Sequence, residues 1–194
     1  MADRYEYYIT GYDTDADVLR NVWKAQTFTP SVAHRITGVK LLLARVGLPG
    51  IITVGIRETD VDGHPTGLDL CSGTIDGDSL ADSWPPEWYE ITLGAGYNLS
   101  ADTKYAIVVR APTGDSTNKL LWNADITSPT YDGGNYEASF NSGVSWATTA
   151  ENDFMFEEWG EPPEKAGWLP WVAGGLALLG LVGVVLVGRK KKVR

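Results

Sequence analysis

The chain has one cysteine, Cys71, in 194 residues, so no intramolecular disulfide staples it and an apolar core must hold the fold. Cys71 falls in an expected strand, residues 68–74, and serves there as a small apolar residue. Histidine is almost as scarce. His34 and His64 belong to no HExxH or other zinc-ligand spacing, which removes the familiar zinc centres. A G-x-S-x-G nucleophile elbow is missing as well, since Gly143-Val144-Ser145-Trp146-Ala147 departs from it at the last position. The amino terminus, MADRYEYYIT, lacks the basic and apolar regions of a secretory signal. Positive charge is sparse until the very end: all 25 acidic residues but only 11 of the 16 basic ones precede Arg189, a formal charge of −14 over residues 1–188. A domain so acidic repels phosphate backbones, which argues against nucleic acid as a partner and favours a soluble surface.

A long uncharged run is present. Residues 168–188, WLPWVAGGLALLGLVGVVLVG, hold no charge over 21 positions, and Arg189-Lys190-Lys191-Lys192-Val193-Arg194 follows. At about 1.5 Å per residue such a helix spans roughly 30 Å, the thickness of a bilayer core. Trp168 and Trp171 stand at one end, where indole rings favour the headgroups, and the basic cluster marks the other end as cytoplasmic. The expected partner of residues 168–188 is therefore a membrane, crossed once, with the main domain extracytoplasmic or on a virion surface. Without a visible signal, three routes stay open: an upstream start, display on a virus particle, or a tail anchor that leaves the domain inside. The last needs five positive charges to cross the bilayer.

Upstream of the anchor the apolar period is two. Val39, Leu41 and Leu43 mark one strand, Ile52, Val54 and Ile56 alternate with Thr53, Gly55 and Arg57, and Tyr105, Ile107 and Val109 alternate with Ala106, Val108 and Arg110. Turn signals such as Leu48-Pro49-Gly50, Asp62-Gly63-His64-Pro65 and Asp132-Gly133-Gly134-Asn135 separate such segments. The pattern predicts strands near 25–29, 36–46, 51–58, 68–74, 88–93, 104–110, 119–123, 136–140, 144–148 and 153–159. No amphipathic helix interrupts them. The expected fold class is all-β, an antiparallel β-sandwich of jelly-roll type over residues 1–160. A Pro/Glu spacer at 161–167, one transmembrane helix at 168–188 and a basic cytoplasmic tail at 189–194 complete the expected organisation.

The order and spacing of several segments carry a resemblance. Ala25-Gln26-Thr27-Phe28-Thr29-Pro30, Ile36-Thr37-Gly38-Val39-Lys40-Leu41, Gly50-Ile51-Ile52-Thr53-Val54-Gly55-Ile56, Asp62-Gly63-His64-Pro65-Thr66-Gly67 and Leu99 to Val109 together resemble the choice-of-anchor R type of β-sandwich domain over about residues 20–160. The resemblance implies a surface or phage-particle module held by a carboxy-terminal anchor, with an architecture similar to carbohydrate-binding jelly rolls. It implies no catalytic motif.

The residues themselves nominate few sites. A glycosidase needs two facing carboxylates, for which Glu87, Glu90, Asp125 and Asp153 are the candidates, but chance proximity is the better account in so acidic a domain and no enzyme activity is expected. No cofactor is expected beyond a structural calcium: Asp60 and Asp62 open like an oxygen-ligand loop, yet Cys71 stands where an EF-hand requires glutamate. Asp13, Asp15 and Asp17 alternate but lack the glycine and closing glutamate. Aromatic residues are abundant, with eight Trp and nine Tyr. Trp84 precedes Pro85-Pro86, Trp122 adjoins Asn123, Tyr131 precedes Asp132, and Tyr136 follows Asn135. Rings beside Asn and Asp suit sugars, because pyranose faces stack on them while polar groups take hydroxyls. Trp84, Trp122, Asn123, Tyr131, Asp132 and Tyr136 are thus the expected ligand-binding set, whereas Trp88, Trp146 and Trp159 are expected in the core. The function expected is adhesion or carbohydrate recognition, for a glycan or surface partner, with a structural particle subunit as the alternative and a tethered glycosidase as a remote one.

Overall fold

Thirteen strands form among the described residues, most of the longer ones on an alternating apolar pattern: β1 Asp3–Tyr8, β2 Thr14–Val18, β3 Trp23–Phe28, β4 His34–Val46, β5 Ile51–Thr59, β6 Pro65–Asp76, β7 Glu87–Leu99, β8 Tyr105–Arg110, β9 Lys119–Asp125, β10 Tyr136–Ser139, β11 Ala147–Thr149, β12 Asp153–Phe154 and β13 Phe156–Glu161. The computed structural model describes residues 2–163. The end of the spacer, the apolar segment 168–188 and the basic tail 189–194 lie outside the described residues. Among the described residues no helix is long and apolar enough to cross a membrane.

The strands pair antiparallel in two sheets. One runs β1-β13-β4-β9-β12, with β7 on β4 and β2 on β9; the other runs β11-β10-β3-β8-β5-β6. Between them lies a single large core to which both contribute: Val39, Leu41 and Leu43 of β4, Ile91 and Leu93 of β7, and Phe154 and Phe156 face Phe28, Ile52, Val54, Ile56, Ile107 and Val109. Each such side chain, fully buried, stabilises the fold by about 1.5–3 kcal/mol. At one margin, β6 of the second sheet closes on β7 of the first. A Cβ on Gly73 would sit 2.0 Å from the Thr92 carbonyl oxygen, so only glycine allows that approach.

Nine of the ten strands expected from residue 25 onward have one counterpart each, with margins moved by up to several residues, while the expected strand 153–159 is broken at Met155 into β12, which pairs with β9, and β13, which pairs with β4. The sequence pattern missed β1 and β2. Both are margin strands with little to bury: only Tyr8 of β1 and Val18 of β2 are buried, and Asp15 and Asp17 of β2 lie toward solvent or Lys119. Three tryptophans expected in the core are elsewhere. Trp88 is 38% exposed in the outward phase of β7, opposite in phase to Ile91 and Leu93, and Trp146 and Trp159 are half-buried on outer surfaces.

Candidate functional site

The outer face of the six-stranded sheet is unusual because its middle is small. Ile52, Val54, Ile56, Ile107 and Val109 face inward, which leaves Thr53, Gly55 and Arg57 of β5 and Ala106, Val108 and Arg110 of β8 facing out. Register aligns Ala25 with Val108 and Val108 with Gly55, a row of small residues across three adjacent strands. The floor of this face is therefore shallow. Trp23 and Trp146 pack over Ala25, Ala106 and Val108 as a second, minor apolar cluster.

Charged groups frame that floor. Arg57 Nε donates to Asp69 Oδ1 at 2.8 Å, and Arg110 Nη2 donates to Asp69 Oδ2. Both guanidinium groups lie over the Trp23 ring, 5.4 and 5.3 Å from its centroid, close enough for cation–π attraction. Gly55 makes the arrangement possible: a Cβ there would meet Asp69 Cγ at 2.5 Å, so the missing side chain is the space that the carboxylate occupies. Trp23 Nε1 donates to the Arg20 carbonyl at 3.0 Å and fixes the ring.

Beside this frame opens a groove of about 590 Å³ lined by Arg20, Asn21, Trp23, Thr53, Arg110, Pro112 and Ser142. Its volume lies in the range of small-molecule sites. A second depression of about 310 Å³ on the same face includes Arg57, Asp60, His64 and Trp146. There His64 Nδ1 lies 2.9 Å from Glu137 Oε2, and Thr148 Oγ1 donates to Glu137 Oε1 at 2.6 Å. The hydrogen bond to Glu137 holds the His64 pKa above its ordinary value despite opposing desolvation. This pair ties the turn between β5 and β6 to β10.

The sequence-nominated aromatic set does not converge. Trp84 is 69% exposed and faces Tyr12, with ring centroids 5.7 Å apart. Trp122 is fully buried in β9 and Asn123 is buried beside it, its Nδ2 donating to the Leu42 carbonyl at 3.3 Å. Neither reaches solvent: Trp122 packs on Phe154 in the core, and Asn123 lies against β4 through its hydrogen bond. Tyr136 is half-buried and stacks on Phe154 at 4.4 Å. Tyr131 is half-buried too, edge-on to Phe156, with its hydroxyl donating to Glu6 Oε2 at 3.1 Å. Asp132 is exposed in the adjoining turn. Of the six, Trp84 and Asp132 are surface residues, Tyr131 and Tyr136 are half-buried, and Trp122 and Asn123 are buried within β9.

The nominated carboxylates split as well. Glu87 and Glu90 are exposed on β7, Glu87 accepting from Tyr89 and Glu90 lying 3.8 Å from Lys40. Asp125 and Asp153 are register partners, both buried, but their oxygens are occupied: Asp125 accepts from Tyr8, Thr127 and Ser128, and Asp153 accepts from Gln26 and the Tyr131 amide. Burial pushes the Asp153 carboxyl up to about 6, and nearby Asp125 adds to the shift. Because the folded pKa lies above the unfolded one, the folded state binds the extra proton, and stability should fall as pH rises from about 4 to about 6, by roughly 2–3 kcal/mol. Urea unfolding at pH 4, 5, 6 and 7 should show Asp153→Asn gaining on the parent across that window. Parallel curves for the two proteins would remove the claim.

The calcium candidates Asp60 and Asp62 lie in the turn between β5 and β6. Asp60 Oδ1 accepts from the amides of Asp62 and His64 at 3.0 and 2.9 Å, and among the described residues no group of three or more His, Cys, Asp or Glu is placed to hold a metal. Asp13 accepts from Ile126, and Asp17 pairs with Lys119 at 2.7 Å.

Trp23, Arg110, Arg57 and Asp69 were not nominated from the sequence. The usable signal was the run of small outward residues, Ala25, Gly55 and Ala106, on strands whose inward positions are large. No protein-family model matches this chain, and no curated protein matches it.

Proposed function

We propose that this chain is a recognition module displayed on a membrane by residues 168–188, and that its sandwich, of jelly-roll type, binds saccharide in the groove beside Trp23. One observation carries this reading: a tryptophan and an arginine frame an open groove together with Asn21, Thr53 and Ser142, the pairing of aromatic surface with hydrogen-bonding groups that sugars require. The resemblance to choice-of-anchor R domains supports a surface or phage-particle setting, and the uncharged 21-residue segment with its basic end supports the anchor. A structural particle subunit is the second reading, supported by Val61 in the turn between β5 and β6 and Leu68 near the start of β6, which stand 102% and 87% exposed.

A glycan array probed with the full chain in mild detergent tests the site. Binding of micromolar to millimolar strength is expected, about −4 to −8 kcal/mol. Trp23→Ala should abolish it while Trp84→Ala leaves it intact. Loss in Trp84→Ala alone would move the site to the Tyr12–Trp84 surface, and no binding by the parent would leave the structural reading in place. Carbonate-resistant membrane association of the full chain, with the domain open to external protease, is the matching expectation for the anchor.

A further inference from the structure

The groove is positively charged on a strongly acidic domain. Arg20 and Arg110 line it and no carboxylate does, although residues 1–188 carry a formal charge of −14. Next to it, the single carboxylate of Asp69 serves both Arg57 and Arg110, one oxygen to each. Arg57 and Arg110 thus share one carboxylate, and Arg20 makes no ion pair among the described residues, so the face carries more positive than negative groups at the groove. The buried Glu137 on the same face does not offset them, since its two oxygens face His64 and Thr148. Arg110 Nε has no hydrogen-bond partner, nor does Trp146 Nε1 in the adjoining loop, and both atoms are shielded from solvent.

We propose that the groove's ligand is an acidic saccharide, whose carboxylate or sulfate group is held by Arg110 and Arg20 while a sugar ring lies against Trp23. The proposal rests on the saccharide reading above and narrows it. Arginine suits the task because its planar fork presents parallel N–H donors to a carboxylate or sulfate, while Trp23 supplies the apolar face. Arg57, buried and committed to Asp69, positions that carboxylate and through it Arg110.

Affinity electrophoresis of the full chain in mild detergent, through gels containing a polyuronate, dextran sulfate or neutral dextran, tests this. At least one anionic polymer should retard the protein about tenfold more strongly than dextran, and the better of the two identifies carboxylate or sulfate. Arg20→Gln, at an exposed side chain, and Arg110→Lys, which keeps the charge but loses the fork, should each weaken that retardation about tenfold, with melting temperatures confirming the fold. Retardation by the anionic polymers that neither variant changes would overturn the proposal as diffuse charge attraction. Equal retardation by dextran, lost in Trp23→Ala, would overturn the acidic ligand and leave the saccharide reading standing. Retardation by none of the three, with a blank glycan array, would remove both.

Discussion

Trp122→Ala will cost this sandwich roughly 3–5 kcal/mol, a large part of the stability of any single domain. Trp122 is fully buried and lies on Phe154, with ring centroids 4.0 Å apart and planes 14° from parallel. Tyr136 stacks on Phe154 as well, at 4.4 Å and 15°, and two rings cannot share one face. The three rings thus form a ladder through the core, joining β9 and β12 of one sheet to β10 of the other. Trp122 Nε1 also donates to the Met155 carbonyl at 3.0 Å, at the point where the chain leaves its pairing with β9 and begins pairing with β4. Alanine would open a large cavity and remove the donor that marks this switch. Melting should fall by about 6–20 °C, whereas Trp122→Phe should cost much less and Trp84→Ala about 0.5 kcal/mol or less. Urea unfolding of the three variants decides it: a Trp122→Ala protein as stable as its parent would mean that the ring does not bear on the core.

That contrast between Trp84 and Trp122 shows where local sequence carries information and where it does not. Period-two alternation in Ile52-Val54-Ile56 and Tyr105-Ile107-Val109 is a property of one strand, so the strands were readable residue by residue. Margin strands β1 and β2 were not, because a strand that buries one residue needs no alternation. Trp122 next to Asn123 reads locally like Trp84 next to Pro85; only the pairing of β9 with both β2 and β4 separates a core ring from a surface one. The groove was harder still. Its floor exists because register brings Ala25, Val108 and Gly55 into one row, and Arg57 and Arg110 are joined because Asp69 lies over Gly55 and reaches both. Arg57 and Arg110 were legible as outward positions. Their meeting was not, since it depends on which strands are neighbours.

Removing the Glu158 carboxylate should be as damaging as removing Trp122, and for an electrostatic reason. His34 and Glu158 are both buried in the core, with Nε2 and Oε1 2.7 Å apart. His34 Nδ1 lies 2.8 Å from the Val32 carbonyl, which only accepts, so that nitrogen carries a proton. The Nε2 contact then holds one further proton between the two groups, and the pair stays neutral as a whole. Burial alone would lower the His34 pKa, but the hydrogen bond and charge of Glu158 outweigh it and hold it above 6.5; burial likewise pushes Glu158 up. Tyr5 stacks on the imidazole at 3.7 Å and closes it from water. The His34 share of the stability is therefore complete below about pH 6.5 and is lost as pH rises through the elevated folded pKa, when the pair gives up its proton and Glu158 is left as a buried anion. Glu158→Ala breaks the pair from the other side, stranding a buried imidazole nitrogen, and should cost about 3–5 kcal/mol. Replacing both partners, as His34→Leu with Glu158→Met, removes the charges together and should leave stability within about 1 kcal/mol of the parent or raise it. Glu158 Oε2 favours that outcome, being a buried oxygen with no hydrogen-bond partner that apolar packing would eliminate. Unfolding in urea at pH 6 and pH 8.5 separates the cases: the double variant should lose the alkaline decline that the parent shows, and a double variant weaker than Glu158→Ala would contradict this account.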